Sequence, residues 1–291
     1  MRLSSPDNSI REPILMNPYD DFLPPLFVGS VVFLTGLIVG SFLNVCIYRL
    51  PRERSVVFPP SACPNCDHPL SWFDNIPVVS WLWLRGRCRY CSAPISSLYP
   101  LVEMITGIFF FAVWWQNPDI RVFPFFFLVT AGLIVATFID FFHYIIPDEI
   151  TLGGVAVGLI VAFCFPEVIR AETHLSGLLR SVAGIVLGGG GLFLVAIAGT
   201  ALFKKEAMGM GDVKLLAAVG AFLGPAAPLF ALVVGSVVGS IVGLILLLFR
   251  KARRDTAIPF GPYLALGAYL YMLCGPAIIQ AYLAYTLSST P

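Results

Sequence analysis

Eight apolar runs divide this chain, at Leu26 to Tyr48, Leu101 to Gln116, Val122 to Phe141, Ile150 to Phe165, Ser181 to Phe203, Val213 to Ala226, Leu229 to Phe249 and Phe260 to Tyr285. Each approaches the ~20 helical residues that cross a bilayer's hydrocarbon. The pattern predicts an all-α polytopic membrane protein with about eight transmembrane helices. The sixth run is the shortest, because Pro225 and Pro228 end it only a turn before the seventh. One connection, residues 49–100 between the first two spans, is long and polar. Residues 1–25 read as a polar N-terminal tail: they hold Arg2, Asp7, Arg11, Glu12, Asp20 and Asp21, and no apolar core long enough for a cleavable signal.

Composition agrees with this reading. The 291 residues are 58% hydrophobic and only 12% charged, whereas a soluble domain carries about 25% charged residues. The net charge of +1 points to no acidic partner and no nucleic acid, because in a membrane protein the distribution of charge matters and the sum does not. Arg49, Arg52, Arg54, Arg85, Arg87, Arg89, Lys204, Lys205, Lys214, Arg250, Lys251, Arg253 and Arg254 fall on one set of connections and are thirteen of the eighteen basic residues. With eight spans, the positive-inside rule turns these thirteen to the cytoplasm. The 49–100 loop is then cytosolic, both termini lie outside, and 101–285 forms a seven-helix membrane domain.

The seven cysteines fall into two groups. Cys46, Cys164 and Cys274 lie in apolar runs and read as inert core residues. Cys63, Cys66, Cys88 and Cys91 lie in the polar loop as two C-x2-C pairs separated by 21 residues, the ligand spacing of a four-cysteine zinc site. Disulfides are the alternative, but a cytosolic loop is kept reduced. A metal held by four protein ligands has no open position for substrate, so this zinc is expected to be structural. Gly184, Gly188 to Gly191, Gly235, Gly239 and Gly243 follow the spacing that lets helices approach closely. No strand or basic residue accompanies Gly188 to Gly191, so that run is not a phosphate cradle.

Two acids stand at the ends of apolar runs: Asp140, and Asp212 in Gly209-Met210-Gly211-Asp212. A carboxylate next to hydrocarbon costs about 2.5–3.5 kcal/mol on insertion scales. Singly, Asp212 could be a helix N-cap and Asp140 an interfacial acid reaching water. On the eight-span topology, however, both lie at the cytoplasmic face at similar depth. Two carboxylates at hydrogen-bonding distance share one proton, which is aspartyl protease chemistry and needs no metal. Asp148, after Pro147, suits an N-cap better than catalysis. Lys214 is expected on another helix face, snorkelling to the interface, and His143 reads as a loop residue.

Gly40-Ser-Phe-Leu-Asn-Val-Cys-Ile-Tyr-Arg-Leu-Pro51, the two cysteine pairs, Phe73-Asp-Asn-Ile-Pro77, Arg85-Gly-Arg-Cys88, Tyr99-Pro-Leu-Val-Glu103, Asp140 with Ile146-Pro-Asp148, and Gly209-Met-Gly-Asp212 occur in this order. Together they closely resemble the type IV prepilin peptidases, which are prepilin leader peptidases and N-methyltransferases of the GxGD aspartyl type. The resemblance implies a bacterial inner-membrane enzyme that cleaves the leader of prepilins or pseudopilins after a glycine on the cytoplasmic side. It further implies methylation of the new N-terminal residue with S-adenosylmethionine. Asp140 and Asp212 match the catalytic aspartates, Asp148 a non-catalytic acid, and Gly86 the glycine associated with methylation. Leu98 departs from the family, which commonly has arginine there.

No soluble-type G-x-G-x-x-G unit occurs, so a cofactor pocket must be built from the polar loop and the adjoining spans. Glu103 could contact a sulfonium or a new amino terminus; equally, it could be an interfacial acid paired with a loop arginine. Lys204, Lys205 and the Arg250 to Arg254 cluster suit anionic membrane lipid, which leaves a basic leader to Glu149, Glu206 and Asp74. A proton-relay transporter is disfavoured because both acids lie near one face. A non-catalytic docking protein would tolerate loss of either aspartate.

Overall fold

The structure, a computed structural model, describes residues 24–204, 208–249 and 258–288. Lys205, Glu206, the Arg250 to Arg254 cluster and nearly all of the N-terminal tail lie outside the described residues. The described secondary structure is helical: α1 (Pro25–Arg49), α2 (Val79–Trp83), α3 (Leu98–Gln116), α4 (Phe123–His143), α5 (Asp148–Cys164), α6 (His174–Ile185), α7 (Gly191–Phe203), α8 (Met210–Leu223), α9 (Ala226–Leu248) and α10 (Gly261–Ser288). A π-helical turn, Val186–Gly190, joins α6 to α7.

Among the described residues every apolar run is helical, and six helices are by length and composition alone long and apolar enough to cross a membrane: α1, α3, α4, α6 with α7, α9 and α10. The other two are shorter. α5 has 17 residues and α8 has 14, which at ~1.5 Å per residue is about 26 and 21 Å against a hydrocarbon core of about 30 Å. α8 can be short because it does not face lipid. Val213 and every residue from Leu215 to Leu223 are buried, with α5, α6, the π turn, α9 and α10 packed around them. A helix apolar on all sides belongs in such a position. By contrast, α9 exposes Val233, Val237, Ile241 and Leu244, a stripe of the kind that meets lipid tails.

Small residues set the spacing around α8. Gly184 of α6 and Gly220 of α8 face each other backbone to backbone, and a Cβ on either would overlap the other's carbonyl. Gly188 rests on the Leu216 carbonyl, and Gly235 and Gly239 of α9 rest on Tyr263 of α10. The sequence reading of packing contacts holds for Gly184, Gly188, Gly235 and Gly239, whereas Gly191 has open space where a side chain would stand. Of the three cysteines outside the pairs, Cys46 and Cys274 are half-buried, while Cys164 is exposed at the end of α5 and is not core. α1 lies along α3, and with α4 they enclose a cluster of Leu43, Val102, Ile134, Val135 and Ile139.

Candidate active site

α4 ends one turn beyond Asp140. Tyr144 adopts a left-handed conformation (φ 58°) and donates its N–H to the Asp140 carbonyl at 2.9 Å, the αL form of helix termination. The chain then turns through Ile145 to Pro147 into α5. Asp140 is buried, and its Oδ2 accepts the Gly261 N–H at 3.0 Å. That amide belongs to the first turn of α10, where backbone donors have no partner within the helix.

Asp212 lies in the first turn of α8 after Gly209, a position where a carboxylate also complements the helix dipole. It lies within electrostatic reach of Asp140. Ile146 links the two positions. Its side chain stands 3.2 Å from where a Cβ on Gly211 would be and 3.0 Å from where one on Gly261 would be. The fold thus gathers the end of α4, the start of α8 and the start of α10 around one buried isoleucine. Sequence reasoning missed Gly261 and Ile146, and no local signal marks Gly261, 121 residues from Asp140.

Asp148 is not a cap. Pro147 occupies the N-cap, and the Asp148 carboxylate pairs with Lys214 at 2.7 Å. Lys214 is therefore held across to α5 by this ion pair instead of reaching freely for the interface. His143 is exposed in the last turn of α4.

The four paired cysteines come together between the first two spans, with their sulfurs all within 4.8 Å of one another. The two halves are built alike. Ala62 bridges to Pro69 and Arg87 to Pro94, and the residue after each second cysteine, Asp67 or Ser92, has positive φ. Cys63 and Cys91 Sγ stand 3.8 Å apart, matching the ~3.8 Å edge of a tetrahedron with Zn–S bonds of about 2.3 Å. The Cys91 thiol is pulled down to about 6, first by the Ala93 backbone N–H and then by the Asn65 amide. Cys66 goes up to about 12: the His68 N–H favours its thiolate, but desolvation and hydrogen bonds to the other thiols outweigh it. Four thiolates this close need a divalent cation between them, so the donor set fits structural zinc.

Beneath this module, against α1 and α3, lies a cavity of about 700 Å³. Glu103 lines it, is buried, and accepts the Val78 N–H at 2.7 Å; among the described residues it pairs with no loop arginine. Val78 sits at φ 61°, a strained setting for a β-branched residue, and the Val79 N–H reaches back to the Pro77 carbonyl. Gly86 also has positive φ, and a Cβ there would lie 2.9 Å from the Trp81 indole, which lines the cavity. Asp74 is inside as well. Its side chain is 4% exposed and paired with Arg89 at 2.8 Å, so it is not offered to a leader arriving from solvent. Glu149 is exposed.

A multi-pass helical protein with two acids gathered at one end and a four-cysteine module between its first spans has the make-up of a membrane-embedded peptidase with an added metal-binding module. The comparisons agree. Residues 34–117 match the bacterial peptidase A24 N-terminal domain and residues 127–244 the type IV leader peptidase family. The "Prepilin leader peptidase/N-methyltransferase" of Aeromonas hydrophila is 39% identical over 294 residues, covering 89% of this chain and 95% of that relative. The protein of the same name from Pseudomonas aeruginosa is 36% identical over 303 residues, covering 92% and 98%. The "Type 4 prepilin-like proteins leader peptide-processing enzyme" of Escherichia coli O78:H11 is 37% identical over 260 residues, covering 80% and 88%. No solved structure matches. The chain belongs to the type IV leader peptidase family, and it is an enzyme, a protease and a methyltransferase.

Proposed function

We propose that this protein is an intramembrane aspartyl endopeptidase of the bacterial inner membrane. It removes the leader of type IV prepilins or pseudopilins after a glycine at the cytoplasmic face, then methylates the new N-terminal residue. The observation that carries the peptidase reading is the approach of Asp140 and Asp212 at one end of the bundle, around the Gly261 N–H and Ile146. The cytoplasmic assignment of that end rests on its basic connections, Arg49, Arg52, Arg54, Arg85, Arg87 and Arg89.

The two carboxylates share one proton. Gly261 fixes one oxygen of Asp140, which leaves the other to take a proton from water as the water oxygen attacks the scissile carbonyl. Asp212 carries the shared proton and hydrogen-bonds the carbonyl oxygen, giving a neutral gem-diol. Collapse breaks the C–N bond, and the leaving amine takes a proton from the dyad. Gly209 and Gly211 leave room for substrate backbone beside Asp212. Exposed Glu149, next to the pair of Asp148 with Lys214, is the acid best placed for a basic leader.

Cys63, Cys66, Cys88 and Cys91 would hold a zinc ion that staples the loop, and a donor set of four protein ligands would leave no open position for water. S-adenosylmethionine, when bound, would supply the methyl group for the new amino terminus. Gly86 and Glu103 belong to that half of the enzyme.

The test is leader release from a synthetic prepilin by purified protein. Asp140→Asn and Asp212→Asn should each abolish it with expression intact, while Asp148→Asn stays active. A dead Asp148→Asn beside an active Asp140→Asn would overturn the assignment.

A further inference from the structure

We propose that the cavity beneath the four-cysteine module is the S-adenosylmethionine site, with Asp74 accepting hydrogen bonds from the ribose hydroxyls and Glu103 facing the sulfonium. The inference rests on the methyltransferase reading above and gives that activity a place and two contacts.

Size comes first. A volume of about 700 Å³ falls within the roughly 300–1,000 Å³ of pockets that enclose ligands of this class. The lining combines aromatic faces, Trp81 and Tyr90 among them, with polar and charged groups that include Arg49, Asp74, Arg89 and Glu103. Flat aromatic faces suit a purine, which stacks without needing a directed bond.

Two carboxylates in the lining then divide the ligand between them. Asp74 Oδ1 is bound by Arg89 Nε, but Asp74 Oδ2 is buried with no hydrogen-bond partner. A carboxylate oxygen only accepts, and leaving one unpaired in the interior costs about 1–3 kcal/mol or more, so the site is built for a donor. Arg89 already balances the Asp74 charge, which makes a neutral hydroxyl a better fit than a second cation. Glu103 is the complement. It is buried and held by the Val78 N–H and by Ser41, and among the described residues it has no ion-pair partner. Dipoles orient that charge without neutralising it, and a cationic sulfonium would.

Gly86 fits the same picture from outside the cavity. Its positive φ and its closeness to the Trp81 indole mean that any side chain there moves the aromatic wall. Trp81 is otherwise fixed by its Nε1–H to the Ile95 carbonyl at 3.1 Å.

The experiment is calorimetric titration of full-length zinc-loaded protein in detergent with S-adenosylmethionine and, separately, with S-adenosylhomocysteine, which lacks the sulfonium charge. Asp74→Asn should weaken both ligands at least tenfold. Glu103→Gln should weaken S-adenosylmethionine tenfold and S-adenosylhomocysteine less than threefold. Wild-type binding that neither substitution alters would overturn the site while leaving the methyltransferase reading intact. Wild-type protein that binds neither ligand and methylates no pilin would sink both. Should Asp74→Asn shed its zinc, hydrogen exchange on the unaltered protein decides. Adding S-adenosylhomocysteine should protect residues 78–84 and 93–96, and binding without protection there would refute the assignment.

Discussion

Gly261 offers the sharpest test of how the peptidase site is held, because its role lies wholly in packing and in one amide. A Cβ at this position would stand 2.7 Å from Asp140 Oδ2 and 3.0 Å from Ile146 Cδ1. Ordinary van der Waals contact begins near 3.4 Å, so Gly261→Ala must push the carboxylate oxygen away by about 0.7 Å, the difference between 2.7 and 3.4. The N–H to Oδ2 bond, now 3.0 Å, is stretched or lost. A hydrogen bond to a charged group contributes about 1.5–3 kcal/mol, and a misplacement on the order of 1 Å in a reacting group costs about a hundredfold in rate. Turnover in leader release should therefore fall roughly 10- to 100-fold, with the Michaelis constant moving less than threefold, because Gly261 touches the acid and not the leader. Steady-state cleavage of a synthetic prepilin in detergent measures both. Turnover within twofold of wild type would show that the Asp140 to Gly261 contact does not orient the reacting acid.

Two further outcomes follow from the contacts. Cys63→Ser with Cys91→Ser should lower the metal content from one zinc per chain to none and expose the 49–100 loop to protease, as elemental analysis and limited proteolysis would read; a full zinc complement in the double variant refutes the ligand set. Asp148→Asn or Lys214→Met removes a solvent-accessible pair, 58% and 32% exposed, of a kind that contributes about 0–1 kcal/mol, so cleavage should stay within threefold and thermal stability should barely change; loss of cleavage in Lys214→Met would give the pair a role in the reaction.

What the sequence made legible divides according to how local the physics is. The four-cysteine module could be read because its ligands, turns and prolines recur within two short segments, and nothing distant is needed to bring each pair together. Asp140 and Asp212 could be suspected because an acid at the end of an apolar run is costly wherever the fold puts it. Hydropathy, however, reports only that a segment avoids water. It could not tell that α8 is sheathed by protein while α9 turns Val233, Val237, Ile241 and Leu244 outward, since an apolar run reads the same whichever apolar surface it meets. Contacts across the chain were harder still. Asp148 looked like a cap because the Pro147-Asp148 sequence invites one, but Lys214, 66 residues away, supplies a charge that a cap's amide hydrogens cannot match. Asp74 looked like a surface acid because it sits in a polar loop, yet the module folds it against Arg89 and leaves it 4% exposed. Val102 and Ile139, which precede Glu103 and Asp140, pack in one cluster, so the helices that carry these two acids meet there. A change in the volume of that cluster, such as Ile139→Ala, removes buried side-chain atoms from between α1, α3 and α4 and would reach both helices through packing alone.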